Sequence, residues 1–367
     1  MRASKTLIPC YLVLIYVQIC HGELKLIQVV FRHGDRAPSS QFRYYYPSDP
    51  YVNETWHPEG WGGLNNDGKM RAYDLGVFLK ERYGEWLGDV YLKDEVEFRS
   101  SNRDRTIMTA QLVATALFPP SEIQKWHPDL AWQPIPVFSD PSLSKTFYNS
   151  RSKCPRLIAM REELTKTDKH LLKRDEQLNE FYRFLSTKVG SDVGQYQSWI
   201  IHDQLTAESG ENIGLPDWAV EILREGTLEE IAGYDYVIQS YNKSMIQLNG
   251  GQWIREWLEH VDSYLSESPP RLGPKAFFYS AHEYNVAGIL SALGVFEPHV
   301  PAFCNAVMLE LAKIQDNFCV KVLYKNKDIV QQLVVPGCNE VNCPLEKFRK
   351  LMEDVIIDKD VKAACAV

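Results

Sequence analysis

Basic and titratable residues follow three apolar segments of this chain, at the point where each segment ends. They are Arg32, His33 and Arg36 after the first segment, Arg105 after the second, and His282 and Glu283 after the third. In open α/β sheets, ligands bind in the crevice outside the carboxyl ends of the strands. If the three segments form neighbouring parallel strands, all of these side chains face one crevice.

These residue types suit the transfer of a phosphoryl group. Planar guanidinium groups bind a phosphate dianion through paired hydrogen bonds and offset the charge that develops on its oxygens. A histidine such as His33 can attack phosphorus through one ring nitrogen while an acceptor fixes the other. Gly34 leaves room beside it for a close approach. A carboxylic acid must protonate the leaving alkoxide, and Glu283 is the candidate.

The elements that position these residues alternate between strands and helices. Apolar or alternating runs predict strands at Leu24–Phe31, from Val96 to Ser100, and at Lys275–Tyr279, with a hairpin from Val307–Leu311 and Cys319–Tyr324. Helical spacing follows at Asn66–Tyr83 (through Met70, Tyr73, Val77 and Phe78), Thr106–Leu117, Asn285–Leu293 and Pro344–Met352.

Residues 154–264 differ from the rest because they are rich in helix formers and amphipathic stretches, such as Leu178–Leu185 and Trp218–Leu223. We therefore predict an α/β fold with a mixed central sheet flanked by helices. Residues 23–153 and 265–367 form the core, and residues 154–264 form a mainly helical inserted cap.

The first 22 residues predict a signal peptide. Arg2 and Lys5 form a basic start, Leu7–Ile19 is an apolar run too short to span a bilayer comfortably, and Cys20 and Gly22 are small residues suited to a cleavage site. An N-terminal membrane anchor is the alternative. No later stretch is long and apolar enough to cross a membrane, so we expect a secreted, extracellular protein that does not bind membranes.

The charge of the chain excludes general polyanion binding. Removing the signal peptide lowers the formal net charge from −8 to −10, because Arg2 and Lys5 leave and no acidic residue does. An acidic protein is a poor general binder of nucleic acid or anionic lipid. We expect no nucleic-acid partner, and a phosphate ligand must rely on local arginines.

The cysteines and two tripeptides fit an extracellular compartment. An even number of cysteines favours disulfides in a secreted chain, and those left after residue 22 are Cys154, Cys304, Cys319, Cys338, Cys343 and Cys365. A zinc site is the alternative, but no C-x-x-C pair occurs, so we expect no metal and no cofactor. Asn53 and Asn242 begin glycosylation acceptors.

Several motifs resemble those of the histidine phosphatase superfamily, in its acid phosphatase branch. The stretch Arg32-His-Gly-Asp-Arg-Ala-Pro38 resembles the signature of that family, and Arg99-Ser-Ser-Asn-Arg-Asp-Arg-Thr106 is similar to its second arginine motif. The likeness continues through Leu117-Phe-Pro-Pro120, Trp132-Gln-Pro-Ile-Pro136, Tyr279-Ser-Ala-His282 and Leu333-Val-Val-Pro-Gly-Cys338, and so covers nearly the whole mature chain.

The resemblance implies a phosphoglycerate-mutase-like core and a role for each matching residue. His33 is then the nucleophile that forms a phosphohistidine, and His282 adds a hydrogen bond to the phosphoryl oxygens. Those oxygens are bound by Arg32, Arg36 and Arg105. Glu283, the implied proton donor, stands where most of the family has the shorter Asp. Arg103 lies outside these roles, and we interpret it as structural.

The resemblance also implies disulfides Cys154–Cys365 and Cys338–Cys343, small phosphomonoester substrates and a homodimer. The pairing of Cys304 and Cys319 stays open, and buried thiols on neighbouring strands are one solution. No heptad or apolar patch in the sequence itself indicates a dimer. A phytase or lipid phosphatase would share the motifs. The alternative function, from a different class, is that of a secreted binding protein of the same fold with weak or no catalytic activity. The one observation in its favour is Glu283, which stands where most of the family has Asp.

Overall fold

The structure is a computed structural model that describes residues 22–139, 154–266, 273–357 and 361–366. The predicted signal peptide therefore lies outside the described residues, apart from Gly22. Among the described residues, no helix is both long and apolar enough to cross a membrane.

The described strands form one mixed sheet. They are β1 (Glu23–Arg32), β2 (Val96–Ser100), β3 (Val137–Phe138), β4 (Ala276–Ala281), β5 (Ala306–Ile314), β6 (Asn317–Asn326), β7 (Ile329–Leu333) and β8 (Cys343–Pro344). The strand order is β3-β2-β4-β1-β5-β6-β7, and β8 pairs with β6. Strands β2, β4 and β1 are parallel neighbours, whereas β5 runs antiparallel to β1 and forms the predicted hairpin with β6.

The described helices lie on both faces of this sheet and in the long connection from β3 to β4. They are α1 (Asn66–Leu87), α2 (Asp104–Leu117), α3 (Pro155–Thr167), α4 (Lys169–Val189), α5 (Gln195–Ser209), α6 (Asp217–Glu225), α7 (Thr227–Gln239), α8 (Lys243–Asn249), α9 (Gly251–Ser266), α10 (Glu283–Ala292), α11 (Leu345–Met352) and α12 (Val361–Cys365). Short 3-10 turns occur at Arg43–Tyr45, Glu122–Gln124 and Glu353–Val355. The α/β class with a mixed sheet and flanking helices is confirmed.

Strand β1 is mostly apolar from Leu26 to Phe31 because this part is covered on both faces. Leu26 and Val30 pack against α9 and α10, whereas Ile27, Val29 and Phe31 pack against α1 and α2. Successive side chains of a strand point to opposite faces, so an uninterrupted apolar run is what a central strand requires. Burial on both faces holds the end of β1, and hence His33, in a fixed position.

Helix α1 forms where the sequence predicts it, but most of the apolar positions that identified it face solvent. Met70, Tyr73 and Val77 are exposed, and the core face consists of Ala72, Leu75, Leu79 and Tyr83. The sequence offers two apolar stripes on this helix. Packing against α2 selected the one that also carries Gly76, where an added Cβ would lie 2.5 Å from the Val113 carbonyl oxygen.

The connection from β3 to β4 is helical in its described part, α3 to α9. Helices α4, α5, α6 and α7 surround an apolar cluster of their own, which Tyr46 from the β1–α1 connection completes. Helix α9 instead packs on the sheet through Trp253 and Trp257. The division at residue 264 stays a prediction, and the packing of α9 argues for a boundary nearer Gly251.

Both predicted disulfides are present. Cys154 and Cys365 have Cα atoms 4.7 Å apart, and Cys338 and Cys343 have Cα atoms 5.5 Å apart. In the chain-entropy model, the long loop closed by Cys154–Cys365 contributes about 5 kcal/mol to stability. Cys304 and Cys319 are buried free thiols, which settles the pairing that the sequence left open.

Candidate active site

The carboxyl ends of the three parallel strands bring the predicted residues together. Arg32 closes β1 opposite Ala281 of β4, and Ser100 closes β2 opposite Ser280. Backbone hydrogen bonds join His33 N to the Ala281 carbonyl oxygen at 3.0 Å and Ser101 N to the Ser280 carbonyl oxygen at 3.1 Å. A cavity of about 390 Å³ opens at this edge, and among its lining residues are His33, Arg36, Arg105, His282 and Glu283.

His33 is buried at the floor of this cavity with its ring orientation fixed. Its Nδ1 lies 2.8 Å from the Gly34 carbonyl oxygen. A carbonyl oxygen only accepts, so Nδ1 carries the proton and Nε2 keeps its lone pair. Burial, followed by the charges of Arg105 and Arg32, lowers the pKa of His33 well below its usual value. The ring is therefore neutral in the ligand-free site, on the acid side of neutrality as well.

Gly34 allows the backbone of α1 to approach closely, and the room that it leaves beside the nucleophile stays a prediction. A Cβ at this position would lie 2.3 Å from the carbonyl oxygen of Gly68, in the first turn of α1. The amide of Gly34 donates to Thr109 Oγ1 of α2 at 3.1 Å. The glycine thus allows α1 and α2 to close on the strand end and clamp the peptide whose carbonyl oxygen orients His33.

His282 and Glu283 stand at the start of α10. The His282 amide donates to the Asn285 side chain at 3.2 Å, which caps the helix. The His282 ring lies 2.8 Å, through Nε2, from Ser101 Oγ, and Ser101 Oγ lies 2.9 Å from Thr106 Oγ1. Burial and then Arg105 lower the pKa of His282 well below its usual value.

The titratable side chains of the two histidines and Glu283 converge. One carboxylate oxygen of Glu283 and one ring nitrogen each of His33 and His282 lie within 4.8 Å of one another. This separation leaves space for one tetrahedral group between a nucleophile and a proton donor. The same donors could hold a metal ion, but Arg36 and Arg105 also line the cavity, and their charges oppose a divalent cation.

Asp203 of α5, which the sequence analysis did not single out, holds two of the arginines. Its carboxylate accepts from Arg36 Nη2 at 2.6 and 2.8 Å and lies 3.8 Å from Arg32 Nη2. Burial alone would raise the pKa of Asp203, but Arg36 and Arg32 outweigh burial and lower it. The helical connection therefore supplies the counter-ion of the strand-end arginines.

Arg32 lies behind the cavity wall and not among its lining residues. Its guanidinium stacks on Phe303 at 4.0 Å from the ring centroid and donates to the Pro301 carbonyl oxygen at 2.7 Å. Its Nε lies 3.5 Å from Glu283 Oε2. Arg32 thus contacts the carboxylate predicted to be the proton donor.

The arginines retain unused donors. The Nε atoms of Arg36 and Arg105 are buried and donate no hydrogen bond to any described residue, and the Nε atom of Arg32 has only the ion-pair contact with Glu283. Burial, followed by the charge of Arg36, lowers the pKa of Arg105 to about 10, which reflects how closely the guanidinium groups are crowded. Buried polar groups are normally hydrogen-bonded. Unsatisfied cationic donors around one cavity fit a bound anion that supplies acceptor oxygens.

Aromatic side chains also line the cavity. Tyr45 is one of them, whereas its neighbour Tyr44 is exposed and Tyr46 is buried beneath α5. Further aromatic lining residues are Phe42, Trp61, Tyr196, Trp199 and Tyr284.

A family model agrees with this site. Residues 23–325 match the model of the histidine phosphatase superfamily, branch 2. The chain belongs to this family. The assignment makes it a phosphatase that hydrolyses phosphomonoesters, and confirms the resemblance inferred from the motifs.

Curated relatives of this histidine phosphatase carry matching names. The chain is 35% identical to venom acid phosphatase Acph-1 of Apis mellifera, over 91% of this chain and 86% of that protein. It is 34% identical to prostatic acid phosphatase of Mus musculus, over 94% of this chain and 89% of that protein. Lysosomal acid phosphatase of Rattus norvegicus is 29% identical, over 93% and 80% of the two chains.

Solved structures share the fold at low identity. The phytase of Klebsiella sp ASR1 superposes with a TM-score of 0.67 at 14% identity, covering 92% of this chain and 98% of the other. The tartrate complex of Hafnia alvei phytase also superposes with a TM-score of 0.67, at 16% identity. These matches support the architecture of the histidine phosphatase and leave its substrate open.

The sequence signal for Asp203 in this phosphatase was weak. It lies inside a helical stretch of the chain and belongs to no short motif, and a single acidic residue in a helix is usually solvated. Helix α5 is buried over much of its length, and its polar residues Gln195, Gln204 and Glu208 are buried as well. Several polar side chains buried together on one helix, and not any short motif, are what could have indicated a functional contact.

Proposed function

We propose that this chain is a secreted, metal-independent acid phosphatase that hydrolyses small phosphomonoesters through a phosphohistidine on His33. The observation that carries the proposal is the state of His33 in a cavity surrounded by buried guanidinium groups. Nδ1 is held by the Gly34 carbonyl oxygen, so the lone pair of Nε2 is available to attack phosphorus. The lowered pKa keeps that lone pair free at acidic pH.

Each phosphate-binding role has a geometric basis. Arg36 and Arg105 line the cavity, and each has a buried Nε without a partner among the described residues. Arg32 reaches the site at its Nε, beside Glu283, and is proposed to bind the phosphoryl group from behind the wall. Guanidinium groups placed before substrate arrives stabilise the charge of the transferring group without reorganisation.

His282 binds the phosphoryl group only if its outward nitrogen, Nδ1, carries a proton. Thr106 Oγ1 lies 2.8 Å from the carbonyl oxygens of Ser101 and Arg103, which only accept, so its single proton is engaged there. The Ser101 hydroxyl can then donate to His282 Nε2, and in that arrangement the proton of the neutral ring resides on Nδ1. The proposed donor role of His282 depends on this direction of the Ser101 hydroxyl.

The test is hydrolysis of p-nitrophenyl phosphate from acidic to alkaline pH, with and without EDTA. We expect a maximum on the acid side of neutral, since His33 stays unprotonated there and Glu283 must be protonated before attack. EDTA should leave the rate unchanged, because the arginines supply the charge that a metal would bring. A rate lost with EDTA and restored by zinc would contradict the metal-independent mechanism. No turnover at any pH would favour the inactive binding protein.

The bidentate contact between Asp203 and Arg36 leads to a second prediction. Asp203→Asn removes the charge that orients Arg36 while keeping the side-chain shape, and we expect kcat/KM to fall about 10- to 100-fold, the size of a charged hydrogen bond. Thermal unfolding of the same variant separates misfolding from misplacement of Arg36. Tighter binding of inorganic phosphate at an unchanged kcat would show that Asp203 opposes the substrate and does not position Arg36.

Secretion, glycosylation and dimer formation are further parts of the proposal. The disulfides and the secreted character expected of the chain agree with one another. Asn53 is exposed, and so is Asn242, whose side-chain oxygen accepts from the Met245 amide at 3.1 Å. Glycosidase treatment of the secreted protein should lower its mass, and an unchanged mass would contradict the predicted glycosylation. Light scattering at several concentrations tests the homodimer.

A further inference from the structure

Arg103 lies on the connection from β2 to α2, two residues before Arg105. The sequence motifs gave it no role beyond a structural one, but its side chain forms no hydrogen bond, ion pair or ring contact with any described residue. Its backbone takes part in the fold, where the Arg103 carbonyl oxygen accepts from Thr106 N at 3.0 Å. The side chain is exposed, so its guanidinium is open to a ligand.

Arg103 separates two cavities that share a wall. The reactive cavity of about 390 Å³ and a second cavity of about 340 Å³ are both lined by Trp61, Gly62, Arg103 and Arg105. The second cavity continues past Leu64, Asn102 and Met108. The alcohol part of a substrate held at His33 can therefore extend along Arg103 into this second space.

Arg103 and Arg105 both line the two cavities, and Arg105 is assigned to the reacting phosphoryl group, which leaves Arg103 for a second anion. Arg36 is engaged by Asp203, and Glu59, which lines the second cavity, lies 3.0 Å from Lys69. Asp104 also lines the second cavity but not the reactive one. Burial, then the charge of Arg105 and then that of Arg103 lower the pKa of His282. The Arg103 guanidinium therefore lies near the phosphate-binding residues.

We propose that Arg103 binds a second anionic group carried by the alcohol part of the substrate, so that this phosphatase prefers phosphomonoesters with a further carboxylate or phosphate. The inference rests on the proposed phosphomonoesterase activity and adds a substrate class to it. The reacting phosphoryl group is matched by Arg32, Arg36, Arg105 and His282. A second anion is the partner that remains for a guanidinium beside them, since Arg pairs with carboxylate and phosphate in the same planar geometry.

The experiment compares three aryl phosphates, whose para substituent is a carboxamide, a carboxylate or a phosphonomethyl group that cannot be hydrolysed. The quantity measured is kcat/KM of each anionic substrate divided by that of the carboxamide, in the wild type, in Arg103→Gln and in Lys93→Gln. Lys93 is a matched control, because it is an exposed cation paired with Asp94 and lines neither cavity. Intrinsic differences between leaving groups cancel when one ratio is compared across variants.

We expect Arg103→Gln to lower the ratio about fivefold for at least one anion, the upper range for an exposed ion pair, and Lys93→Gln to leave it unchanged. The anion with the larger drop identifies whether a carboxylate or a phosphate is recognised. Equal losses for charged and neutral substrates, or an equal drop in Lys93→Gln, would overturn the inference while the activity stands. No hydrolysis of any of the three substrates by the wild type would instead overturn the proposed function.

Discussion

Replacing His33 by alanine is expected to abolish turnover. Removing the nucleophile of a covalent mechanism costs on the order of 10⁴-fold or more, because the remaining groups can bind substrate but cannot form the intermediate. Wild-type enzyme mixed with radiolabelled substrate and quenched in alkali should retain label, since a phosphohistidine survives alkali and is lost in acid. The His33→Ala variant should retain none.

Two measurements make this result specific. Inorganic phosphate should still raise the unfolding temperature of His33→Ala, because Arg36 and Arg105 remain in the cavity. His282→Ala is the matched control, since it removes the other buried imidazole of the site and should slow labelling without preventing it. Label retained by the His33→Ala variant would show that another residue is the nucleophile.

The sequence predicted the part of the site that strand topology determines. The runs at β1, β2 and β4 are recognisable because central strands must be apolar on both faces, and parallel strands bring their carboxyl ends to one edge. Arg32 ends β1, and His33, His282 and Glu283 follow the ends of β1 and β4 directly, whereas Arg105 lies in the first turn of α2. Local pattern therefore indicated these residues, but their convergence depends on the parallel order of β2, β4 and β1, which was stated from the sequence only as a condition.

The missing part of the site depends on contacts between distant segments. Asp203 reaches Arg36 across 167 residues of sequence, and no local periodicity encodes that distance. The same holds for Arg32, whose position behind the cavity wall is set by Pro301 and Phe303. The face of α1 was misjudged for a related reason, since Met70 and Tyr73 have the right spacing but α2 packs against the smaller residues.

Two positively charged features lie beside the Glu283 carboxylate. As the first residue of α10 it lies at the positive end of a helix, and Arg32 Nε lies 3.5 Å from its carboxylate. Proton donation requires the acid form of this carboxyl group. A bound phosphate dianion brings negative charge beside it and competes for Arg32. The leaving alcohol then lies next to the only carboxyl group that the proposed mechanism uses as a proton donor.

Replacing Glu283 by glutamine is therefore expected to affect poor leaving groups most. Loss of a general acid costs on the order of 10²- to 10⁴-fold, and an alkyl phosphate such as glycerol phosphate should show the full loss. p-Nitrophenyl phosphate should lose much less, because p-nitrophenolate leaves without a proton. The measurement is kcat/KM for a series of esters, plotted against the pKa of the leaving alcohol, in wild type and Glu283→Gln. The variant should give the steeper dependence.

Glu283→Asp is the control, because it keeps the acid and shortens it by one methylene, to the residue that the resemblance implies for most of the family. If the carboxyl group needs only to lie between His33 and His282, Glu283→Asp should retain substantial activity and the shallow dependence of the wild type. Equal losses for good and poor leaving groups in Glu283→Gln would show that Glu283 does not donate the proton. Its contact with Arg32 would then be its main contribution, and water or another carboxylate would protonate the alcohol.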